Sequence, residues 1–224
     1  METELKLAFP SEEELNSCFS SNALRELFAV LEEKTEEYEN VYLDTEARIL
    51  HKSRTSLRVR HVNRQNYIHT VKTSPVVLEG EMTEEVRAGL SSRCEWNVPS
   101  DSAEFDPERF LSEAASGDDP IDLLEMALHP IVGKRLQIVC STVFTRRILV
   151  VQFRESQMEV CFDVGECQGN GRSLPICEME IELIAGKTED VETLGTIITS
   201  RFPCRGGSLS KYARCLLLMN EERV

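Results

Sequence analysis

Charged side chains alternate with uncharged ones at two distant places in this chain. Residues 2–7 read ETELKL, and residues 178–183 read EMEIEL. Because side chains two positions apart on a strand point to the same side, each segment predicts a strand with one charged face. An ordinary half-buried strand turns such charges toward water. If these acids face inward instead, they form a site for hard cations and not an apolar core.

Basic residues are concentrated in stretches that contain no acid. The first covers residues 47–78, and two more cover residues 131–154 and 193–220. Strand alternation persists inside the first stretch, where Arg58 and Arg60 flank a valine. Several strands are therefore predicted to direct basic side chains to the same side.

The composition is typical of a soluble globular protein. Of the 224 residues, 41% are hydrophobic and 29% are charged, which is enough to bury a core. The net charge of −14 opposes binding to nucleic acid or to an anionic membrane, so a polyanionic substrate needs a local basic pocket. No apolar run approaches the roughly 20 residues that cross a bilayer, and the charged start lacks a signal-peptide core. We expect a cytoplasmic protein with no nucleic-acid partner and no membrane partner.

The eight cysteines show no metal-binding spacing. There is no C-x-x-C pair, and no histidine stands beside a cysteine at ligand spacing. We expect reduced, buried cysteines that act as small hydrophobic side chains. The histidines also lack nucleophile or metal spacing and are expected to be structural or exposed; they are His51, His61, His69 and His129.

The order of predicted elements indicates an α+β protein. One helix is predicted after Pro10, and a second from about Asn22 to Leu31, where apolar residues recur at helical spacing. The acidic run 32–39 is expected to be a solvated continuation of it. A helical interlude is predicted over about 106–132, and a late helix from about 188. The predicted strands are 39–44, 56–60, 67–73, 93–98, 135–145, 147–152, 157–166 and 175–184.

About eight strands without βαβ alternation favour one barrel-like antiparallel domain. A barrel can hold a polar cavity inside while its outer face packs on helices. This architecture explains how charged faces from distant strands are able to converge.

Nine short motifs follow one another along the chain. They are residues 1–6 (METELK), 42–45 (YLDT), 57–60 (LRVR), 70–72 (TVK), 93–95 (RCE), 144–146 (FTR), 159–165 (EVCFDVG), 178–183 (EMEIEL) and 210–214 (SKYAR). In this order they resemble the CYTH superfamily, the triphosphate tunnel metalloenzymes, over nearly the whole chain. One E-x-E-x-K motif alone is a weak signal, whereas nine ordered matches are a strong one.

The resemblance implies a closed eight-stranded antiparallel β-barrel, or tunnel, with helices packed outside. It implies a single CYTH domain over residues 1–224, without the helical domain that often follows in longer members. It also implies a phosphoanhydride hydrolase that uses Mg²⁺ or Mn²⁺ to convert inorganic triphosphate to pyrophosphate and phosphate. The chain is expected to be a monomer or homodimer, with a triphosphate-containing small molecule as its partner.

Other functions stay open at this point. Relatives include adenylyl cyclases and thiamine or nucleoside triphosphatases. A rival of another class is a non-catalytic polyphosphate-binding module, which would keep Arg58, Arg60 and Lys72 without requiring the metal-binding acids.

The resemblance, together with ligand chemistry, suggests a role for each charged residue. Hard divalent cations prefer oxygen ligands, and the expected metal ligands are Glu2, Glu4, Glu180 and Glu182. Asp163 and Glu159 are expected nearby, as further metal ligands or as acceptors that support the ligands. Guanidinium and ammonium groups bind phosphate and stabilise the charge of the transition state, and the residues expected to do so are Arg58, Arg60, Lys72, Arg146 and Lys211. Lys6 is expected to position or deprotonate the attacking water, or to bind phosphate. The residues expected to be catalytic are Lys6, Arg58, Arg60, Lys72 and Arg146.

Supporting roles are expected for three further residues. Arg93 and Glu95 are expected to hold arginine and lysine side chains in place, and Glu178 is a minor candidate near the tunnel mouth. Strand parity allows only one of Arg146 and Arg147 to point inward, and the motif favours Arg146. The alternative for every acid pair is a solvent-facing strand edge, where charge is common on an ordinary sheet.

Overall fold

The computed structural model describes residues 2–73, 89–114, 120–207 and 209–220. Residue 1 and residues 115–119, which belong to the first motif and to the predicted helical interlude, lie outside the described residues. The described strands are β1 (Glu2–Ala8), β2 (Ala29–Thr45), β3 (Thr55–Val62), β4 (Asn66–Thr73), β5 (Leu90–Ser100), β6 (Leu136–Phe153), β7 (Ser156–Gly169), β8 (Arg172–Ala185) and β9 (Arg205–Gly206).

The first eight strands close into an antiparallel barrel. Their order is β5-β4-β3-β2-β6-β7-β8-β1, and β1 pairs back onto β5 from Glu2 opposite Arg93 to Leu5 opposite Leu90. The two residues of β9 pair with the end of β1 at Leu7 and Ala8. Closure gives every strand of the barrel two neighbours, which confirms the predicted eight-stranded architecture.

Helices pack on the outer wall of the barrel, with the exception of the last described helix. Leu5 and Leu7 of β1 belong to an apolar cluster outside the wall, whereas Glu4 and Lys6 face inward, as strand alternation requires. No helix among the described residues is long and apolar enough to cross a membrane. The described helices are α1 (Glu12–Ser20), α2 (Asn22–Arg25), α3 (Ile49–Lys52), α4 (Pro107–Ala114), α5 (Ile121–Leu128), α6 (Thr188–Arg201) and α7 (Lys211–Asn220), with a 3₁₀ turn at His129–Ile131.

The prediction of a long second helix is wrong. Helix α2 ends at Arg25, and β2 begins at Ala29, so Leu31 lies on a strand with 56% of its surface exposed. Most of the acidic run is exposed as expected, but it lies on this strand and not on a helix, and Tyr38 within it is buried. Continuous pairing of β2 with β6, from Ala29 opposite Gln152 onward, outweighs the local helical periodicity. The same pairing merges the two strands predicted at 135–145 and 147–152 into β6.

Helix α7 packs on the inward-facing side of the wall. Cys215 and Leu218 cluster with side chains from the interior of β2, β6, β7 and β8, and thereby cover one end of the cavity. Gly165 of β7 allows a close approach to β6, because a Cβ there would lie 2.1 Å from the carbonyl oxygen of Val143 and 2.5 Å from Phe144. Only a residue without a side chain fits at this crossing.

The second motif has a local structural role. One Asp44 carboxylate oxygen accepts hydrogen bonds from the backbone N–H groups of Thr45 at 2.7 Å and Leu50 at 3.0 Å, and the other accepts from His51 at 3.0 Å. Asp44 therefore caps the short helix α3 and fixes the turn that leads from β2 into β3. Tyr42 of the same motif faces the cavity.

Candidate active site

The barrel encloses a cavity of about 340 Å³. Side chains from all eight strands of the barrel and from the start of α7 line it, so residues far apart in the sequence converge on one space. The predicted site residues among them are Glu2, Glu4, Lys6, Arg58, Arg60, Lys72, Arg93, Glu95, Arg146, Glu159, Glu180, Glu182 and Lys211.

Three carboxylates form a row across one side of the cavity. Glu4 on β1 is the cross-strand partner of Glu182 on β8, and Glu182 is the partner of Glu159 on β7. Directly opposed residues of antiparallel strands have Cβ atoms about 4.5–5.5 Å apart, so these three side chains are neighbours. Within the described residues, neither Glu159 nor Glu182 has an ion pair with a basic side chain. This acidic row, Glu4–Glu182–Glu159, therefore keeps oxygen atoms available for a cation.

The carboxyl groups on this side of the cavity differ in their pKa values. Burial raises the pKa of Glu182 to about 7. Burial likewise raises the pKa of Glu2 to about 8, although Lys72 opposes the shift. Burial also acts on Glu4, but attraction to Lys6, Lys72 and Arg93 more than offsets it and lowers the pKa of Glu4 to about 2.

Lys6 lies between two carboxylates. Its Nζ is 3.4 Å from Glu4 Oε1 and 3.3 Å from Glu180 Oε1, and the side chain is buried. Burial lowers the pKa of Lys6, but the charges of Glu180 and Glu4 outweigh it and the pKa is raised. A lysine held as a cation orients or binds anions and is poorly suited to act as a general base.

Three buried acids form a second cluster under α7. Asp163, Glu178 and Glu180 each offer an oxygen within 4.8 Å of the others, so they are able to share a cation. The ammonium group of Lys211 occupies this position, at 2.6 Å from Asp163 Oδ2 and 3.0 Å from Glu180 Oε1. Arg146 donates two hydrogen bonds to Asp163, at 2.7 and 2.6 Å. The cluster thus fixes two of the predicted phosphate-binding cations.

The opposite side of the cavity carries basic groups from β3 and β4. Lys72 pairs with Glu2 at 2.8 Å and also with Glu95, and Arg58 lies 3.7 Å from Glu95. Burial raises the pKa of Glu95, but Lys72 and Arg58 more than offset it, so its pKa is well below its usual range. Arg58 donates to Thr70 Oγ1 at 2.9 Å, while its buried Nε has no hydrogen-bond partner in the described structure. The unpartnered Nε is a donor that a phosphate oxygen would satisfy.

Two predicted placements need correction. Asp163, expected among the metal ligands, does not line the cavity; it lies behind it beside Glu178, and Lys211 contacts both. Arg93 does not hold other basic side chains, because it pairs with Glu2 and Glu4. Glu95, in contrast, contacts Lys72 and Arg58 as expected.

Other placements agree with expectation. Arg147 points outward and stacks on Phe19 of α1, with 4.0 Å between its Cζ and the ring centroid. All eight cysteines are free, and six are buried. His69 is buried and its Nε2 lies 2.9 Å from the carbonyl oxygen of Ser102, outside the cavity.

Sequence reasoning missed the uncharged part of the wall. Tyr42 stacks near Tyr212, with ring centroids 5.0 Å apart. Strand parity gives no reason to select a neutral residue over its neighbours. A second signal was membership of the nine motifs, which contain Tyr42, Thr70, Ser210 and Tyr212. The lining residues missed as site candidates are Tyr38, Tyr42, Ser56, Ile68, Thr70, Asn97, Ser210 and Tyr212.

Several solved structures share this fold. An adenylyl cyclase candidate from Hippeastrum, HpAC1, for which a dominant triphosphatase activity is described, superposes with a TM-score of 0.61, 20% identity and coverage of 97% of this chain and 96% of that one. The protein PH1819 from Pyrococcus horikoshii superposes with a TM-score of 0.53, 20% identity and coverage of 97% and 99%. At these identities the comparison concerns the fold alone.

Sequence comparison identifies the family. The inorganic triphosphatase of Haemophilus influenzae is 31% identical over 171 residues, which are 75% of this chain and 43% of that protein. The chain thus spans less than half the length of that relative. The sequence model of the CYTH domain family matches residues 1–216 of this chain. The chain therefore belongs to the CYTH family.

Proposed function

We propose that this chain hydrolyses inorganic triphosphate to pyrophosphate and phosphate in the barrel cavity, with Mg²⁺ or Mn²⁺ as cofactor. The observation that carries the proposal is that the acidic row lies across the barrel cavity from the basic groups of β3 and β4. The likeness to the Haemophilus inorganic triphosphatase supports the same substrate class.

The donor set fits a divalent metal ion. Glu182 and Glu159 lack a basic partner among the residues described, and Glu2, Glu4 and Glu180 line the same cavity. Carboxylate oxygens are the ligands that Mg²⁺ and Mn²⁺ prefer. The proposed ligands are therefore Glu2, Glu4, Glu159, Glu180 and Glu182, with Asp163 holding Arg146 and Lys211 in place behind them. When bound, the metal neutralises phosphate charge and lowers the pKa of a bound water.

The basic residues bind and orient the substrate. Arg58 and Arg60 offer guanidinium groups from one strand, Lys72 offers an ammonium group from the next, and Arg146 and Lys211 approach from the side of α7. A triphosphate carries several negative charges that repel an attacking nucleophile, and these groups neutralise that charge. They also stabilise the charge that grows on the leaving pyrophosphate, which is the main requirement in phosphoryl transfer.

Lys6 is proposed to bind the anion close to the metal end. It lies on the same face of β1 as Glu2 and Glu4 and is held charged by Glu4 and Glu180. A fixed cation beside the carboxylates shields an incoming phosphate from their charge. The residues that touch substrate in this proposal are Lys6, Arg58, Arg60, Lys72, Arg146 and Lys211.

A substrate panel tests the proposal. The purified protein is incubated with tripolyphosphate, ATP or thiamine triphosphate, each with Mg²⁺ or Mn²⁺, and phosphate, pyrophosphate and cyclic AMP are measured. We expect metal-dependent release of phosphate from tripolyphosphate to be the fastest reaction. Faster formation of cyclic AMP from ATP would make the chain a cyclase, and binding without any turnover would make it a polyphosphate-binding module.

A matched pair of variants compares the loss of a carboxylate inside the cavity with the same loss on the surface. Glu182→Gln removes one carboxylate of the acidic row and is expected to lower tripolyphosphate turnover at least about tenfold. Glu125→Gln makes the same change at an exposed position on α5 and is expected to leave turnover unchanged. Equal activities of the two variants would contradict the proposed role of the row.

A further inference from the structure

Arg60 differs from the other basic side chains of the cavity in having no acidic partner among the residues that the structure describes. Within the described ranges, each of the others forms an ion pair with at least one carboxylate; they are Lys6, Arg58, Lys72, Arg93, Arg146 and Lys211. In this part of the chain, the contacts of Arg60 are with the neutral side chains of Asn40 and Tyr38. Its charge is therefore uncompensated until an anion enters the cavity.

We propose that Asn40 is a positioning residue that holds Arg60 with a neutral hydrogen bond, so that Arg60 remains the free cationic anchor for the phosphate chain. The inference rests on the proposed function of the cavity and adds a residue that does not line the cavity. Asn40 acts through Arg60 and does not contact the substrate.

The geometry of Asn40 supports this role. Asn40 on β2 is the cross-strand partner of both Arg60 on β3 and Thr142 on β6. Arg60 Nε donates to Asn40 Oδ1 at 3.0 Å, and Asn40 Nδ2 donates to Thr142 Oγ1 at 2.9 Å. Asn40 is only 1% exposed and Thr142 is 0% exposed. Because a guanidinium group only donates, the amide oxygen faces Arg60, and Thr142 accepts from the amide nitrogen and holds the side chain in this orientation.

The hydrogen bond leaves the useful part of Arg60 free. Asn40 engages only Nε, and no protein group among the described residues accepts a hydrogen bond from Nη1 or Nη2. The ring of Tyr38 lies under the guanidinium group, with 4.0 Å between Arg60 Cζ and the ring centroid. The Tyr38 hydroxyl donates to Glu36, which fixes the ring. Arg60 is thus held at its edge and its face, with both terminal nitrogens available for a phosphate.

Asn40 and Tyr38, which hold Arg60, are both neutral, so they do not offset the positive charge of Arg60. Burial, and then the like charges of Arg58 and Arg146, lower the pKa of Arg60 to about 10. A carboxylate in place of the amide would relieve this repulsion without a substrate. With the neutral amide of Asn40, the repulsion is relieved only when an anion binds. An anion is attracted more strongly to a buried cation without an acidic partner than to a cation already paired with a carboxylate.

The test replaces the amide by an isosteric acid. Asn40→Asp keeps an oxygen that accepts from Arg60 Nε but adds a negative charge beside it. Asn16→Asp is the matched control, because it adds the same charge on α1, outside the barrel. Binding of tripolyphosphate is measured by calorimetry in the presence of EDTA at fixed ionic strength, where no metal-dependent turnover occurs.

We expect Asn40→Asp to weaken binding about tenfold or more and Asn16→Asp to change it less than about twofold. In an Arg60→Gln background, Asn40→Asp should have no further effect beyond about twofold, since the two changes act through the same guanidinium group. In steady-state kinetics with metal, Asn40→Asp should raise KM more than it lowers kcat. An effect that persists undiminished without Arg60 would overturn the inference.

The outcomes distinguish this inference from the proposed function. A wild-type protein that neither binds nor hydrolyses tripolyphosphate contradicts the proposed function itself. A wild-type protein that does both, with an Asn40→Asp variant that binds equally well, contradicts only the role of Asn40. If Asn40→Asp does not fold, Thr142→Val tests the same arrangement by removing the acceptor for Asn40 Nδ2; unchanged binding in that variant overturns the inference, and weakened binding supports it.

Discussion

Glu4 and Glu182 lie directly opposite each other on β1 and β8, yet their surroundings shift the pKa values of the two carboxyl groups in opposite directions. Glu4 contacts Lys6 and Arg93, which hold its pKa at about 2 against the effect of burial. Glu182 has no ion pair with a described basic group, and burial raises its pKa to about 7. One acid of the pair is permanently charged, and the other becomes charged near neutral pH.

This difference predicts proton release when a divalent metal binds. Because a carboxylate must be deprotonated to bind metal, Mg²⁺ affinity should rise with pH through the range of about 6 to 8. Calorimetric titration at pH 7 in buffers of different ionisation enthalpy should show protons released per metal bound. Glu182→Gln should reduce that number, and a release equal to that of the parent protein would exclude Glu182 as a ligand.

Stability without metal should fall as the pH rises from about 5 to about 8. The pKa of Glu182 is raised from 4.5 to about 7, so the folded chain binds this proton more tightly than the unfolded chain does. The stabilisation is complete below the ordinary pKa and is lost as the pH passes the raised one, by on the order of 2–3 kcal/mol. Thermal unfolding in EDTA across this range measures the loss, and Glu182→Gln should flatten the profile. A profile just as steep in the variant would count against the shift.

Asp163→Asn should destabilise the protein by about 3–5 kcal/mol, because it leaves Arg146 and Lys211 buried without the negative charge of one of their ion-pair partners. Chemical denaturation gives the free energy of unfolding. Glu155→Gln is the control, since it removes an exposed partner of Lys187 and should cost less than about 1 kcal/mol. Similar losses in the two variants would show that the buried pairs contribute no more than a surface pair.

Gly165→Ala should destabilise the protein by more than about 2 kcal/mol. The added Cβ would lie 2.1 Å from the carbonyl oxygen of Val143, which belongs to the neighbouring strand and has little freedom to move. Gly133→Ala is the control: nothing lies within 4 Å of its Cβ position, and its φ of +69° alone should cost about 1 kcal/mol. Equal unfolding free energies for the two variants would argue against a close crossing at Gly165.

Strand parity allowed much of the cavity wall to be predicted. Glu2, Glu4 and Lys6 share a face because of the alternation of a strand, whatever the rest of the chain does. The same reasoning separates Arg146 from Arg147. Parity does not distinguish positions along one face, so it does not separate Asp163 from Glu159 on β7. Contact with Lys211 at the start of α7 places Asp163 behind the cavity, and that contact is not a local property of β7.

Local periodicity misled the prediction where tertiary pairing was stronger. The spacing of Leu24, Leu27, Phe28 and Leu31 fits a helix, but the chain from Ala29 onward pairs with β6. This segment gains a continuous ladder of hydrogen bonds to β6, whereas a short amphipathic helix gains none beyond its own.

The sequence by itself determined which side chains face the same way, because alternation along each strand is a local consequence of backbone geometry. Only the tertiary structure decided which of these faces meet, which acid compensates which base, and that Arg60 is held by the neutral Asn40. Those outcomes depend on strand register and barrel closure, which bring together residues with no relation in the chain. A neutral amide carries no charge pattern, so its role becomes visible only when its neighbours across two strands are known.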